Sequence, residues 1–309
     1  MRRMISLVAL TAAAAAAAER IPKTARQFRV RVPVSSESAA PLTGGEFRVS
    51  VNGKPARIAR ARGPADDMIL LLVVDFSGDL VLIDAAREAI VRQLRQLPAS
   101  VWAGLLRAQD GLRVLADPSP DREEAIRHIQ SLTVGARPGL LETIELASQL
   151  GDEMLAKASP RLAILFVTDS NVYGYREDFT NPVINSSDWR DLSRRFPEGL
   201  VREKILKIED TLASRQPPVF IVHLDYRSDR INEAYQVGLM QLAKATGGQG
   251  IICRTLVEVP EAIEKALASA RAHWNLELEL AAMPDKKIEF TVENGSQNLT
   301  YRSSFVLKR

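Results

Sequence analysis

The sequence predicts an α/β fold: a doubly wound, mostly parallel sheet with helices on both faces, plus a small β-rich satellite formed by the N- and C-terminal segments. Three observations carry this expectation. Apolar runs at 68–74 and 162–167, and one at 219–224 broken only by His223, have the pattern of parallel strands buried on both faces. Segments of helical spacing alternate with them, as crossover connections between parallel strands require. Before residue 65 and after residue 273 the texture changes to polar–apolar alternation, the mark of strands with one wet face.

Taken in order, the chain opens with Arg2 and Arg3, an apolar run over 5–18, and Ala16-Ala17-Ala18 as a small-residue end. This is the build of a cleaved secretory signal, so 1–18 is expected to leave and the mature protein to be periplasmic or secreted. No other run is long enough to span a membrane, so no span is expected after signal removal. Residues 19–64 form the first β segment: Phe28, Val30, Val32 and Val34 alternate with Arg29 and Arg31, and Phe47, Val49 and Val51 repeat the period. Asn52-Gly53 signals a hairpin, with 57–62 as the returning strand. Residues 65–273 form the α/β unit, with helices expected over 84–97, 121–132, 140–155, 200–213, 234–245 and 260–272. A hairpin is expected over 101–115 about Asp110-Gly111, and a short strand over 251–253. Gly247-Gly248 closes a helix. Residues 274–309 return to strands, at 276–280, 287–292 and 300–307.

Composition excludes several classes. Of 309 residues, 46% are hydrophobic and 26% charged, which a folded domain uses and a disordered chain does not. The net charge is +3, and two of the positives are Arg2 and Arg3, so the mature chain is almost neutral. No basic block with interleaved aromatics is present, and no nucleic-acid partner is expected. The single cysteine, Cys253, excludes an internal disulfide and a cysteine metal cluster.

The chemistry gathers at strand ends, where ligands collect in open parallel sheets. One apolar run ends in Asp75-Phe76-Ser77-Gly78-Asp79, another in Thr168-Asp169-Ser170. Such an oxygen-rich edge has two readings. It holds a hard divalent cation, Mg2+ or another, or its carboxylates bond loop backbone. Ser77, His223 and Asp169 do not read as a nucleophilic triad: His223 lies inside a strand, and Ser77 is not in a nucleophile elbow. No catalytic residue and no enzymatic activity are expected.

These residues resemble a von Willebrand factor A (VWFA) domain, whose metal-ion-dependent adhesion site uses an Asp-x-Ser-x-Ser loop, a threonine and a later aspartate. The resemblance implies a Rossmann-like fold and assigns Asp75, Ser77 and Asp169 as metal ligands. Asp79 stands at the second serine, as a fourth candidate ligand and third carboxylate, and Pro138 falls near the expected threonine, so the implied site is degenerate. Pro41-Leu42-Thr43-Gly44, Asn52-Gly53-Lys54-Pro55 and 242–248 extend the likeness to the VWFA-related proteins abundant in Acidobacteria. The implied role is binding in an extracytoplasmic place, with no ligand named.

Residues 171–198 form a long connection holding Tyr173, Tyr175 and Trp189, residue types favoured at binding hot spots. These three are the expected partner contacts. Three carboxylates around a divalent ion leave a net charge of about −1, so a partner's acidic residue is not expected to sit on the metal. The function expected is an exported protein-interaction, adhesion-type module with a degenerate metal site and a protein partner. The rivals are a structural envelope-assembly domain without metal and a doubly wound hydrolase.

Overall fold

The computed structural model describes residues 28–36, 42, 44–135, 137–177, 179, 197–280, 286–295 and 297–307. The segment read as a signal, 1–18, lies outside them.

The first strands are β1 (Phe28–Ser36), β2 (Phe47–Val51), β3 (Lys54–Pro55) and β4 (Arg57–Arg62). The Asn52-Gly53 turn forms as expected, with φ of 49° and 75°, the left-handed values of a tight hairpin. Its returning arm is only β3, not 57–62. Ala56 N–H still donates to the Val49 carbonyl at 2.8 Å, and β4 then crosses to a different sheet, where it pairs with β11 (Trp274–Leu280).

The central unit follows: β5 (Met68–Asp75), α1 (Leu80–Gln96), β6 (Val101–Arg107), β7 (Arg113–Ser119), α2 (Glu123–Ser131), α3 (Leu140–Lys157), β8 (Arg161–Thr168), α4 (Pro197–Leu212), β9 (Val219–His223), α5 (Arg230–Ala245), β10 (Gly250–Ile252) and α6 (Val259–Ala272). The sheet order is β10-β9-β8-β5-β6-β7. All neighbours pair in parallel except β7, which returns antiparallel at the edge through the Asp110-Gly111 turn. Alternate residues of β5 serve opposite faces. Leu70, Leu72 and Val74 pack with α1, α2 and α6, while Leu71 and Val73 pack with α3, α4 and α5. Each such buried side chain contributes about 1.5–3 kcal/mol, and together they fix the edge where β5 and β8 end. Helices α1 and α5 begin about a turn earlier than hydrophobic spacing indicated, because Asp79 and Asp229 cap them from upstream.

The chain closes with β12 (Lys287–Asn294), β13 (Leu299–Tyr301) and β14 (Ser304–Val306). Sheets β13-β1-β11-β4 and β14-β12-β2-β3 enclose a separate apolar core that includes Val30, Val32, Val49, Leu276, Leu278, Ile288 and Phe290. The expected single strand over 300–307 is two short strands, one in each sheet. Between them Arg302 is drawn inward, donating to the carbonyls of Leu212, Arg215 and Ala245 at the ends of α4 and α5.

A second buried guanidinium pins both crossings between the satellite and the central unit. Arg161 donates to Pro64 and Asp66 oxygens at 3.1 Å and to those of Arg271 and His273 at 2.7 and 3.0 Å. Burial pushes its pKa down to about 10. Beside it, a Cβ on Gly63 would lie 2.7 Å from the Trp274 ring, so only glycine lets the two crossings approach.

Candidate functional site

Parallel pairing sets the site. Asp75 is in register with Thr168, so the loops after β5 and β8 leave the sheet side by side. The structure therefore brings Asp75, Ser77, Asp79 and Asp169 to one edge.

Their carboxylates point into the backbone. Asp169 Oδ1 accepts from Ser77 N–H at 2.6 Å and from its hydroxyl at 3.1 Å; Oδ2 accepts from Gly78 and Asp79 N–H at 2.7 and 2.9 Å. One carboxylate thus satisfies three successive N–H groups ahead of α1. Asp79 Oδ1 accepts from Val81 and Leu82 at 2.9 and 3.2 Å, capping α1. Asp75, fully buried, accepts from Gly139 N–H at 2.9 Å, Leu140 N–H at 3.2 Å and the Thr168 hydroxyl at 3.0 Å. Burial pushes its carboxyl up to about 6, against the pull of those hydrogen bonds.

Below this edge runs a buried chain of hydroxyls. Tyr175 lies 2.8 Å from Tyr235, Tyr235 2.7 Å from Ser170, and Ser170 2.6 Å from Thr168, which reaches Asp75. If each hydroxyl donates toward Asp75, every proton has an acceptor and the chain ends on the carboxylate. Leu141 N–H donates to the Tyr175 hydroxyl, so both ends of the chain rest on the first turn of α3. Gly139 makes this possible, since a Cβ there would lie 1.9 Å from the Ala108 carbonyl oxygen. Gly139→Ala is expected to cost about 3 kcal/mol or more, combining overpacking with a displaced hydrogen bond. Urea unfolding measures it, and wild-type stability would show that this junction opens freely.

Asp169 and Asp75 have donors on both oxygens, and only Asp79 Oδ2 of the three carboxylates has none among the described residues. No group of three or more His, Cys, Asp or Glu among the described residues is placed to hold a metal ion. The residues as arranged do not fit a divalent cation: a metal would have to displace backbone donors that are already well placed. The geometry is that of the alternative reading, carboxylates bonding loop backbone.

The expected partner residues separate. Tyr173 is 52% exposed but held, with its hydroxyl 2.8 Å from Asp229 and its N–H on Asn171 Oδ1. Tyr175 corrects the expectation of a partner contact. It is buried against Phe179 and Tyr235, with its hydroxyl inside the chain above, because its ring closes the core under the edge. Trp189 lies outside the described residues. His223 is buried with Nε2 2.7 Å from the Ser170 carbonyl oxygen, and burial lowers its pKa. The Ser77 hydroxyl faces Asp169.

Over these residues opens a cleft of about 460 Å3, lined by residues that include Ser77, Asp79, Arg137, Pro138, Asn171 and Arg227. Pro138 packs toward Gly174, whose missing side chain leaves it room. Sequence reasoning named Thr168 and Ser170 only as part of the oxygen-rich loop, without their place in the hydroxyl chain, and missed Tyr235 and Gly139. Tyr235 carried the only signal, a hydroxyl-bearing ring on the apolar face of a helix. No described helix is long and apolar enough to cross a membrane.

No family model and no curated protein matches the chain. Solved structures similar to it include a von Willebrand factor type A protein from Catenulispora acidiphila, at 10% identity and a TM-score of 0.47, covering 91% of this chain and 73% of that one. An aerotolerance-related membrane protein from Bacteroides fragilis matches at 12% identity and a TM-score of 0.41, covering 66% and 98%. The vWF domain of the type V pili tip protein Mfa5 from Porphyromonas gingivalis matches at 11% identity and 0.41, covering 65% and 93%. These likenesses are of fold alone.

Proposed function

We propose that this chain is an exported protein-interaction module of the adhesion type, which offers the carboxyl edge of its central sheet to a protein partner without a metal ion. The observation that carries the reading is Tyr173, an exposed aromatic held in one place beside the cleft. An aromatic fixed before binding gives up little entropy on contact, which is the property of a hot-spot residue. The frozen floor supports the same reading, since the Asp169 and Asp75 hydrogen bonds leave the cleft little to rearrange. Binding is favoured over catalysis because Ser77 faces a carboxylate and His223 is spent on a carbonyl oxygen, so neither forms a nucleophile–base pair. Export rests on the basic start and alanine-rich run of 1–18.

A photo-crosslinking residue placed at Tyr173 in the producing cell tests this. The expected result is a discrete protein adduct at that position and none at Glu264, an exposed position on α6. An adduct at Glu264 with none at Tyr173 would overturn the assignment of this edge.

A further inference from the structure

Five of the ten exposed large hydrophobic residues among the described residues lie at the carboxyl edge of the sheet: Leu80, Val81, Tyr173, Leu256 and Val257. The reason is topological. Helix α1 starts after β5, α6 starts after β10, and the 3-10 turn Leu256–Glu258 that leads into α6 lies against α1. The helix starts therefore stand side by side, with Leu80 and Val81 on one and Leu256 and Val257 on the other. Val257 is 86% exposed. Such a cluster of apolar side chains is unfavourable in water, and covering it with a partner lowers the free energy.

The charges around this ridge are unequal in a specific way. Its carboxylates are engaged within the protein: Asp169 and Asp79 by backbone N–H groups, Asp225 by Arg227 at 2.8 Å, Asp229 by Asn232 and Tyr173, Glu258 by Arg254 N–H and Thr255. Two arginines are not so matched. Arg137, exposed on the cleft, has no carboxylate partner among the described residues, and Arg254 lies over the Tyr226 ring at 4.7 Å with none either. A guanidinium stacked on a ring keeps its planar fork free for a carboxylate.

We infer that this ridge binds a polypeptide segment in which an acidic side chain stands beside aliphatic ones. The aliphatic residues cover Leu80, Val81, Leu256 and Val257, and the carboxylate is taken by Arg137 or Arg254 through charge-assisted hydrogen bonds. The inference rests on the interaction-module reading above and adds the chemistry of the partner. A metal ion has no part in it.

The test selects linear peptides from a random phage-displayed library on the purified protein lacking 1–18, and repeats the measurement with variants. Selected peptides are expected to carry Asp or Glu close to Leu, Ile or Val. A synthetic copy is expected to bind about tenfold or more weakly to the double variant Arg137→Glu/Arg254→Glu, and similarly to Val81→Asp/Val257→Asp. Chelator is expected to leave binding unchanged. All four positions are exposed, and circular dichroism confirms that the variants fold. Peptides lost with Val81→Asp/Val257→Asp but without acidic bias, or indifferent to the arginine changes, overturn the acidic partner and leave the interaction module standing. Binding abolished by chelator overturns the arginine assignment in favour of a cation. No selection on the wild type, or peptides insensitive to all four changes, overturns both the partner and the edge as an interaction face.

Discussion

Replacing Arg302 by methionine is expected to cost about 4 kcal/mol and to release the satellite from the central unit. The side chain is fully buried, and its five donors in a fixed fork serve the carbonyls of Leu212, Arg215 and Ala245. Those oxygens close α4 and α5, where helix carbonyls lack partners and the dipole is negative. Among the described residues no carboxylate forms a salt bridge with it, Asp152 acting only through its field; the Phe305 ring lies 5.4 Å from its guanidinium carbon. Burial pushes its pKa down to about 10, which leaves it charged at neutral pH. Methionine fills part of the volume but leaves the Arg215 and Ala245 carbonyls without this donor, each costing about 1–3 kcal/mol, while the Leu212 carbonyl keeps the Arg215 N–H at 2.9 Å. Lysine is not expected to rescue, because one ammonium cannot span three divergent carbonyls. Urea unfolding gives the loss, and limited proteolysis is expected to cut the variant first within 299–307. A variant with wild-type unfolding and no new cleavage would show that the apolar core of the satellite, not Arg302, joins the two parts.

Asp169→Ala is expected to cost about 3 kcal/mol, equally in chelator and in added Mg2+. The carboxylate accepts four hydrogen bonds, three of them from the consecutive N–H groups of Ser77, Gly78 and Asp79. Hydrogen bonds to a charged group contribute about 1.5–3 kcal/mol each, and water entering the cleft recovers part of the total. Asp169→Asn is expected to do little better, since its amide would set N–H groups against N–H groups. Thermal melting with and without Mg2+ separates the two roles of this residue. A wild-type melting temperature that rises with Mg2+, with the rise lost in Asp169→Ala, would restore the cation reading. A loss under about 1 kcal/mol would show that the loop does not depend on this carboxylate.

Much of the architecture is legible in the chain itself. Ile164, Leu165 and Phe166 stand in an unbroken apolar run because β8 is covered on both faces, and burial follows along its whole length. Ile288, Phe290 and Val292 alternate with polar residues because β12 covers a core on one side only. Asn52-Gly53 and Asp110-Gly111 mark turns because few other residues accept left-handed backbone. The edge at which Asp75 and Asp169 meet is legible too, since parallel strands must end on the same side.

What the sequence determined by itself was therefore what local physics writes locally: strand and helix identity, the turns, and the meeting of the carboxylate loops at one edge. The tertiary structure alone decided what those side chains face. Asp169 reaches residues 77–79, Arg302 reaches residues 212–245, and Tyr175 turns inward to Tyr235 across sixty positions. The same carboxylate can face a cation, solvent or a backbone N–H, and its periodicity is identical in all three cases. Only the packing of α1 and α3 against the sheet brings the N–H groups within reach, so only the folded chain shows which partner the oxygen has.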